Sequence, residues 1–298
     1  MINLFLHAAL LTTTPILLAA IGGFVNRMGG LVNLGLESMM LAGALVAVQV
    51  SASTGSEFLA TLAALAAGAA VGLLMSLVVT RLRANEIIVG LGFTVAVAGL
   101  VRFILKSAYG ASGTYNPPGV ALLPRLGIPA LDGIPILGAL SGLEPLTWLA
   151  WALVPVVAFA LARTRWGLRV RATGAAEATV RSVGLHPLAI RDGSTVFAGA
   201  LSGLAGAQLS IGIVGLFNEG ITGGRGFIAL AAFYFGRTSV ARTALGALLF
   251  GVFDAAQIRL QGRGVPAEIV QTLPYVIVIV VLTSLGFADR RAMRGRFY

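Results

Sequence analysis

Four long, predominantly apolar stretches, 57–80, 145–162, 190–213 and 267–287, constrain this chain more than any other feature. Each is close to the roughly 20 residues that one helix needs to cross a bilayer core. The apolar residues come in blocks, not in alternation with polar ones, and only 11% of the 298 residues are charged. A soluble domain carries about a quarter. Too little charge remains to cover a water-facing surface. The expectation is an all-α, polytopic transmembrane helical bundle of about 8–10 spans, forming a single membrane domain over residues 1–298.

Charge placement orients the bundle. The net charge of +10 is concentrated beside apolar stretches: Arg163, Arg165, Arg169, Arg171, Arg181 and Arg191, then Arg290, Arg291, Arg294 and Arg296. That is the pattern of the positive-inside rule, so topology and lipid headgroups account for it and nucleic acid does not. Spans are expected at about 4–24, then one that Leu31–Glu37 runs into and that ends near Ser51, then 58–80, 86–106, 145–162, 191–213, 226–236, 241–258 and 267–287. The 226–236 segment is short for a crossing and reads as a half-helix or a broken helix. Nine spans place the N-terminus outside and the C-terminus inside. Residues 108–145 hold Pro117, Pro118, Pro124, Pro129, Pro135 and Pro145, which argues for an irregular outer loop rather than a helix. Residues 163–191 form an inner loop, and 288–298 a basic inner tail. The first span lacks the basic flank and cleavage site of a signal peptide and is read as retained. Cysteine is absent, so there is no disulfide framework. Gly68 with Gly72, and Gly199 with Gly203, have the spacing that lets helices pack closely in lipid; they read as packing, not as sites.

Several chemistries are excluded. The only lysine, Lys106, lacks the glycine-rich lead of a phosphate-binding loop, so ATP is not hydrolysed here by that route. Two histidines, His7 and His186, and no cysteine leave no ordinary zinc site. His186 lies in the arginine-rich loop, a poor place for a buried general base.

The inner loop is a polar island between two spans. Gly174 is expected to cap a short helix, with Glu177 reaching back to its amides. Gly184 is expected to close that helix in a left-handed turn, with Pro187 beyond it. The product is a two- to three-turn amphipathic helix tied to two spans. It is either a solvated loop or a surface that a soluble partner pushes.

This loop, Gly174-Ala175-Ala176-Glu177-Ala178, resembles the inner loop of permeases of ATP-binding-cassette (ABC) importers. Other stretches are similar to one branch of that superfamily, the permeases for branched-chain amino acids, simple sugars and nucleosides. They are Gly29 to Met40, Ala84 to Leu91, Gly220 to Ala231, Val265-Pro266 and Leu273-Pro274-Tyr275, in the family's order along nearly the whole chain. The likeness is greatest to nucleoside and simple-sugar members. Arg237-Thr238-Ser239-Val240 stands where Trp-Asn-Pro is expected, and Asp254 where Glu is usual. The resemblance implies a permease subunit of the bacterial inner membrane that is not itself an enzyme. It implies cytoplasmic ATPase subunits docking on Gly174, Ala176, Glu177, Ala178, Arg181 and Gly184. It further implies a second permease, a copy or a homologue, an external solute-binding lipoprotein, and ATP-Mg held by the ATPase, with no cofactor or metal on this chain.

Polar residues in or beside spans are costly, at least about 2.5–3.5 kcal/mol for a charge at mid-bilayer, and usually face a cavity or a partner. The candidates for a solute pathway are Asn33, Glu37, Asn85, Glu86, Phe93, Thr94, Glu219, Thr222, Asp254 and Gln257. The alternative is that the acids pair with Arg27, Arg83 or Arg259. The glycine-rich stretches 22–35 and 220–226 read as helix breaks, whose unwound backbone must line a cavity or be buried in protein. In the resembled family these regions approach the pathway. A nucleoside or sugar offers groups that Asn, Thr, Gln and carboxylates can bond, and Phe24, Phe93 and Phe227 could stack on it. Two other readings are a stand-alone secondary transporter using Glu37 or Asp254 for ion coupling, and a branched-chain amino acid permease.

Overall fold

A computed structural model describes residues 2–127, 137–261 and 283. The chain is a helical bundle. Its helices are α1 (Ile2–Met28), α2 (Leu36–Thr54), α3 (Glu57–Arg81), α4 (Glu86–Tyr109), α5 (Pro145–Arg163), α6 (Arg165–Ala175), α7 (Glu177–Ser182), α8 (Pro187–Ala207), α9 (Arg225–Gly236) and α10 (Val240–Gln261). α8 runs on into a π-helical segment, Gln208–Val214. Two strands of two residues, β1 (Thr114–Tyr115) and β2 (Phe217–Asn218), pair antiparallel. Six helices among the described residues are long and apolar enough to cross a membrane: α1 to α5 and α8 with its extension. α9 is apolar but shorter, as expected. The span expected at 267–287, the tail 288–298 and the segments at Val265-Pro266 and Leu273-Pro274-Tyr275 lie outside the described residues.

Local chemistry starts these helices where they start. Asn85 caps α4 by accepting from the amides of Ile87 and Ile88 at 3.0 and 3.3 Å. Thr164 caps α6 by accepting from Gly167 N at 3.1 Å. Pro145 and Pro187 open α5 and α8, where a missing N–H costs nothing.

α3 and α8 cross at the expected glycines. A Cβ on Gly68 would stand 2.2 Å from the Gly199 carbonyl oxygen, and one on Gly203 would stand 2.1 Å from that of Ala64. Backbone touches backbone there, which replaces the hydrophobic drive that lipid cannot supply. Gly22 and Gly23 do not break α1. The helix runs through them to Met28, because Gly22 lies against Ala198 and Gly23 against Phe233. The first interruption is therefore 29–35, not 22–35.

Arg27, Arg81 and Arg191 gather at one end. Arg27 donates to the carbonyls of Phe233 and Arg237. Arg81 pairs with Asp192 at 2.9 Å. Arg191 reaches the carbonyl of Gly29. The opposite end carries the β ribbon and the described parts of the 108–145 loop. Leu123 N donates to Ile211 O, and Ser51 Oγ to Ala121 O. The described parts of that loop, up to 127 and from 137, are irregular as expected, apart from β1 and a 3₁₀ turn at Leu137–Leu140.

Candidate functional site

The two interruptions meet. α1 stops at Met28, and the chain runs without helix to Gly35. Buried Asn33 turns it into α2 by accepting from Gly35 N at 2.8 Å. Glu37, in the first turn of α2, then aims its carboxylate at the second interruption. Its two oxygens accept from Gly224 N at 3.0 Å and Gly226 N at 2.7 Å. A carboxylate on the free amides of a helix start satisfies orphan donors and complements the positive helix end. Glu37 thus caps α9 from another helix, and only 9% of it is exposed. Gly226 permits the approach, since a Cβ there would stand 2.5 Å from Glu37 N.

Arg225, the first residue of α9, turns the other way. Its Nη2 and Nε donate to Asp254 Oδ2 on α10 at 2.8 and 3.2 Å, and its Nη1 to Ile221 O at 3.4 Å. Thr222 is buried, and its carbonyl accepts from Arg225 N at 2.9 Å. Gln257, one turn beyond Asp254, is half-buried.

The depth of this cluster follows from helix geometry. The last turn of α9 is held beside Arg27 at the arginine-rich end. Its 12 residues rise about 1.5 Å each, or about 18 Å in all. The cluster therefore lies one helix length, about 18 Å along α9, from that end.

The other expected residues make no hydrogen bond or ion pair with Glu37 or Asp254, although α4 packs on the first interruption, where a Cβ on Gly90 would stand 3.0 Å from Gly35 N. Asn85 and Glu86 sit at the start of α4, with no ion pair between Glu86 and Arg83. Phe93 is half-buried, and Thr94 bonds its own helix at Gly90 O. Glu219 pairs with Arg102 at 2.6 Å. Phe24 is fully buried in the core, so it cannot stack on a solute, whereas Phe227 is partly exposed. The anticipated pairings of acids with Arg27 and Arg259 give way to Glu37 on backbone amides and Asp254 on Arg225. No group of three or more metal-ligating side chains gathers among the described residues.

The 174–184 segment is built differently from expectation. Gly174 does not cap a helix. It is the penultimate residue of α6, and a Cβ on it would stand 2.2 Å from Met28 O. The corner is Ala176, at φ −155° and ψ 88°. Glu177 reaches no amide; it pairs with Arg181 at 2.8 Å and with Arg191 at 2.7 Å. Gly184 does adopt the left-handed turn, at φ +78°. Ala176, Ala178, Arg181 and Gly184 are exposed, while Val180 anchors the back of α7. Beside α7, a cleft is lined by Leu31, Thr80, Arg83, Glu177, Arg181 and Arg191.

Sequence reasoning missed three functional-looking groups. Arg225 falls inside the Gly220–Ala231 segment, where nothing local singles it out. Asp192 takes Ser76, Thr80 and Arg81 from α3, at 2.6, 2.9 and 2.9 Å. Its 116-residue separation from Ser76 hides that contact, although the Ser-x-x-x-Thr-Arg spacing marks one helix face. Buried Glu144 accepts from buried Gln208 at the foot of the π-helical segment. Burial pushes the Glu144 carboxyl up, while the Gln208 bond and Arg125 oppose the shift. The Tyr115 phenol is also raised, chiefly by burial and then by Tyr109.

Comparison with known proteins fits this arrangement. Residues 5–282 match the family described as "Branched-chain amino acid transport system / permease component". The guanosine ABC transporter permease protein NupQ of Bacillus subtilis is 31% identical, over 99% of this chain and 96% of its own. The nucleoside ABC transporter permease protein NupC of Lactococcus lactis is 31% identical, over 92% of this chain and 89% of its own. The putative glucose ABC transporter permease protein TsgC13 of Haloferax volcanii is 30% identical, over 93% and 90%. No solved structure matches.

Proposed function

Because this chain belongs to the family of branched-chain amino acid transport system permease components, we propose that its two joined interruptions form the pathway for an uncharged polar solute, a nucleoside or simple sugar. The chain is a multi-pass membrane protein and a permease subunit of an ABC importer. The observation that carries the pathway reading is Glu37 joining the start of α2 to the start of α9 deep in the bundle. Irregular backbone at that depth belongs at a cavity or within protein.

Charge supports the solute class. An amino acid would present a carboxylate, which a free helix start or an unpaired arginine would receive. Here Glu37 occupies the helix start and Asp254 engages Arg225. The interruption offers uncharged donors and acceptors instead, which suit hydroxyls and ring nitrogens. The named substrates of the two nucleoside relatives and of the glucose relative point the same way.

Power comes from outside the chain. The exposed face of α7 and its flanks, at Ala176, Ala178, Arg181 and Gly184, is the docking surface for a cytoplasmic ATPase that holds ATP-Mg. A second permease completes the pathway, and an external solute-binding lipoprotein delivers solute. The secondary-transporter reading loses support because Glu37 and Asp254 are both engaged. Vesicles holding the whole complex should take up radiolabelled guanosine or glucose only with ATP, and the permease alone should take up neither. Uptake by the permease alone would overturn the ABC reading. ATP-driven uptake of leucine, with neither guanosine nor glucose carried, would overturn the solute class.

A further inference from the structure

We infer that Arg191 is a positioning residue that ties the ATPase-facing helix α7 to the α1–α2 interruption, so that force applied to α7 reaches the pathway through it. This rests on the docking role proposed above for α7. Arg191 lies in α8 and belongs to neither region it joins. Its Nη1 pairs with Glu177 Oε2 on α7 at 2.7 Å, and its Nε donates to the Gly29 carbonyl at 3.4 Å. Its side chain is 20% exposed and that of Glu177 33%, so solvent screens the ion pair only in part.

The contacts around it make a stiff joint. Gly174, just ahead of α7, sits so close to the end of α1 that a Cβ on it would stand 2.2 Å from Met28 O and 3.0 Å from Gly30 N. The Thr195 hydroxyl, one turn along α8 from Arg191, donates to Asn26 Oδ1 at 2.9 Å. The neighbouring Asp192 fastens α8 to Ser76, Thr80 and Arg81 of α3. From Gly29 the chain leads within a few residues to Asn33 and Gly35, and so to Glu37 on the start of α9. A push on α7 is therefore passed, through Arg191 at the start of α8, to the interrupted chain at Gly29. The planar fork of arginine suits this place, since it can hold a carboxylate and a carbonyl in fixed directions at once.

The test uses the full permease–ATPase complex in vesicles. Arg191→Gln should leave ATP hydrolysis within about twofold of native while solute carried per ATP falls about tenfold, a change typical of lost coupling between two sites. Arg191→Lys keeps the charge facing Glu177 but lacks the fork, and should recover part of the ratio. An unchanged ratio in Arg191→Gln overturns the inference. The native chain has no cysteine, so a Ser182→Cys, Val32→Cys pair can carry spin labels in a complex that retains Arg191. The distance between the labels should stay constant between nucleotide-free and ATP-bound states, and should shift once Arg191→Lys is added. A nucleotide-dependent distance with Arg191 present also overturns the inference, whether or not Arg191→Gln assembles. A native complex that carries no solute with ATP is a different outcome, and counts against the proposed function instead.

Discussion

At the scale of single residues, the acids near the interruptions are structural and functional at once. Glu37→Ala strips the partner from two backbone amides, at about 1–3 kcal/mol for each buried group left unsatisfied. Uptake should fall while assembly survives; normal uptake would remove Glu37 from the pathway. Asp254→Ala leaves Arg225 mostly buried without its partner, and a broken buried pair costs about 3 kcal/mol at the low end of the usual range. Its thermal midpoint in detergent should drop, and uptake with it. An Asp254→Leu, Arg225→Met double variant should regain stability but not uptake, because an apolar pair replaces the ion pair without its direction. Recovered uptake would make the pair a mere packing element. Glu144 gives a pH test. Burial raises its carboxyl above 4.5, so the neutral form suits the folded state. The folded state is favoured by this group at low pH, and that favour is lost as pH rises through the raised value. Glu144→Gln should be more stable than native above that value, with the difference shrinking on acidification. A difference that does not change with pH would contradict the assignment.

At the scale of elements, two joints matter most. The α3–α8 crossing has no room for a side chain, since a Cβ on Gly199 would stand 2.3 Å from Gly68 O. Gly199→Val should sharply lower the yield of folded protein, whereas Gly193→Ala, in open space on the same helix, should not. Equal yields would mean the crossing can relax. The α7 joint was half visible beforehand. Gly184 was legible as a left-handed turn because glycine followed by proline two to three residues on has few other uses. Gly174 was misread as a cap because close approach to Met28, 146 positions away in sequence, leaves no local signal. Glu177→Arg should cut co-purification of the ATPase severalfold while membrane insertion stays intact. Unchanged co-purification would take α7 out of the docking surface.

At the scale of the whole molecule, α4 leaves a broad apolar face uncovered, with Ile88, Val95, Leu100 and Phe103 all more than half exposed. In a membrane protein such a face meets lipid or the second permease. Native mass measurement of the complex should find two permease chains, and a single one would leave α4 wholly to lipid. Membrane embedding, the positions of the six long apolar helices and the arginine-rich end were legible in the sequence alone, because hydropathy, length and charge act locally and a bilayer reads them one segment at a time; the span expected at 241–258 falls on α10, which is not among those six. Tertiary structure decided which acid meets which partner: Glu37 with the amides of α9, Asp254 with Arg225, Asp192 with α3, Glu177 with Arg191. Those pairings depend on where distant helices cross, and the crossings are set by backbone contacts at a few glycines that no local pattern locates.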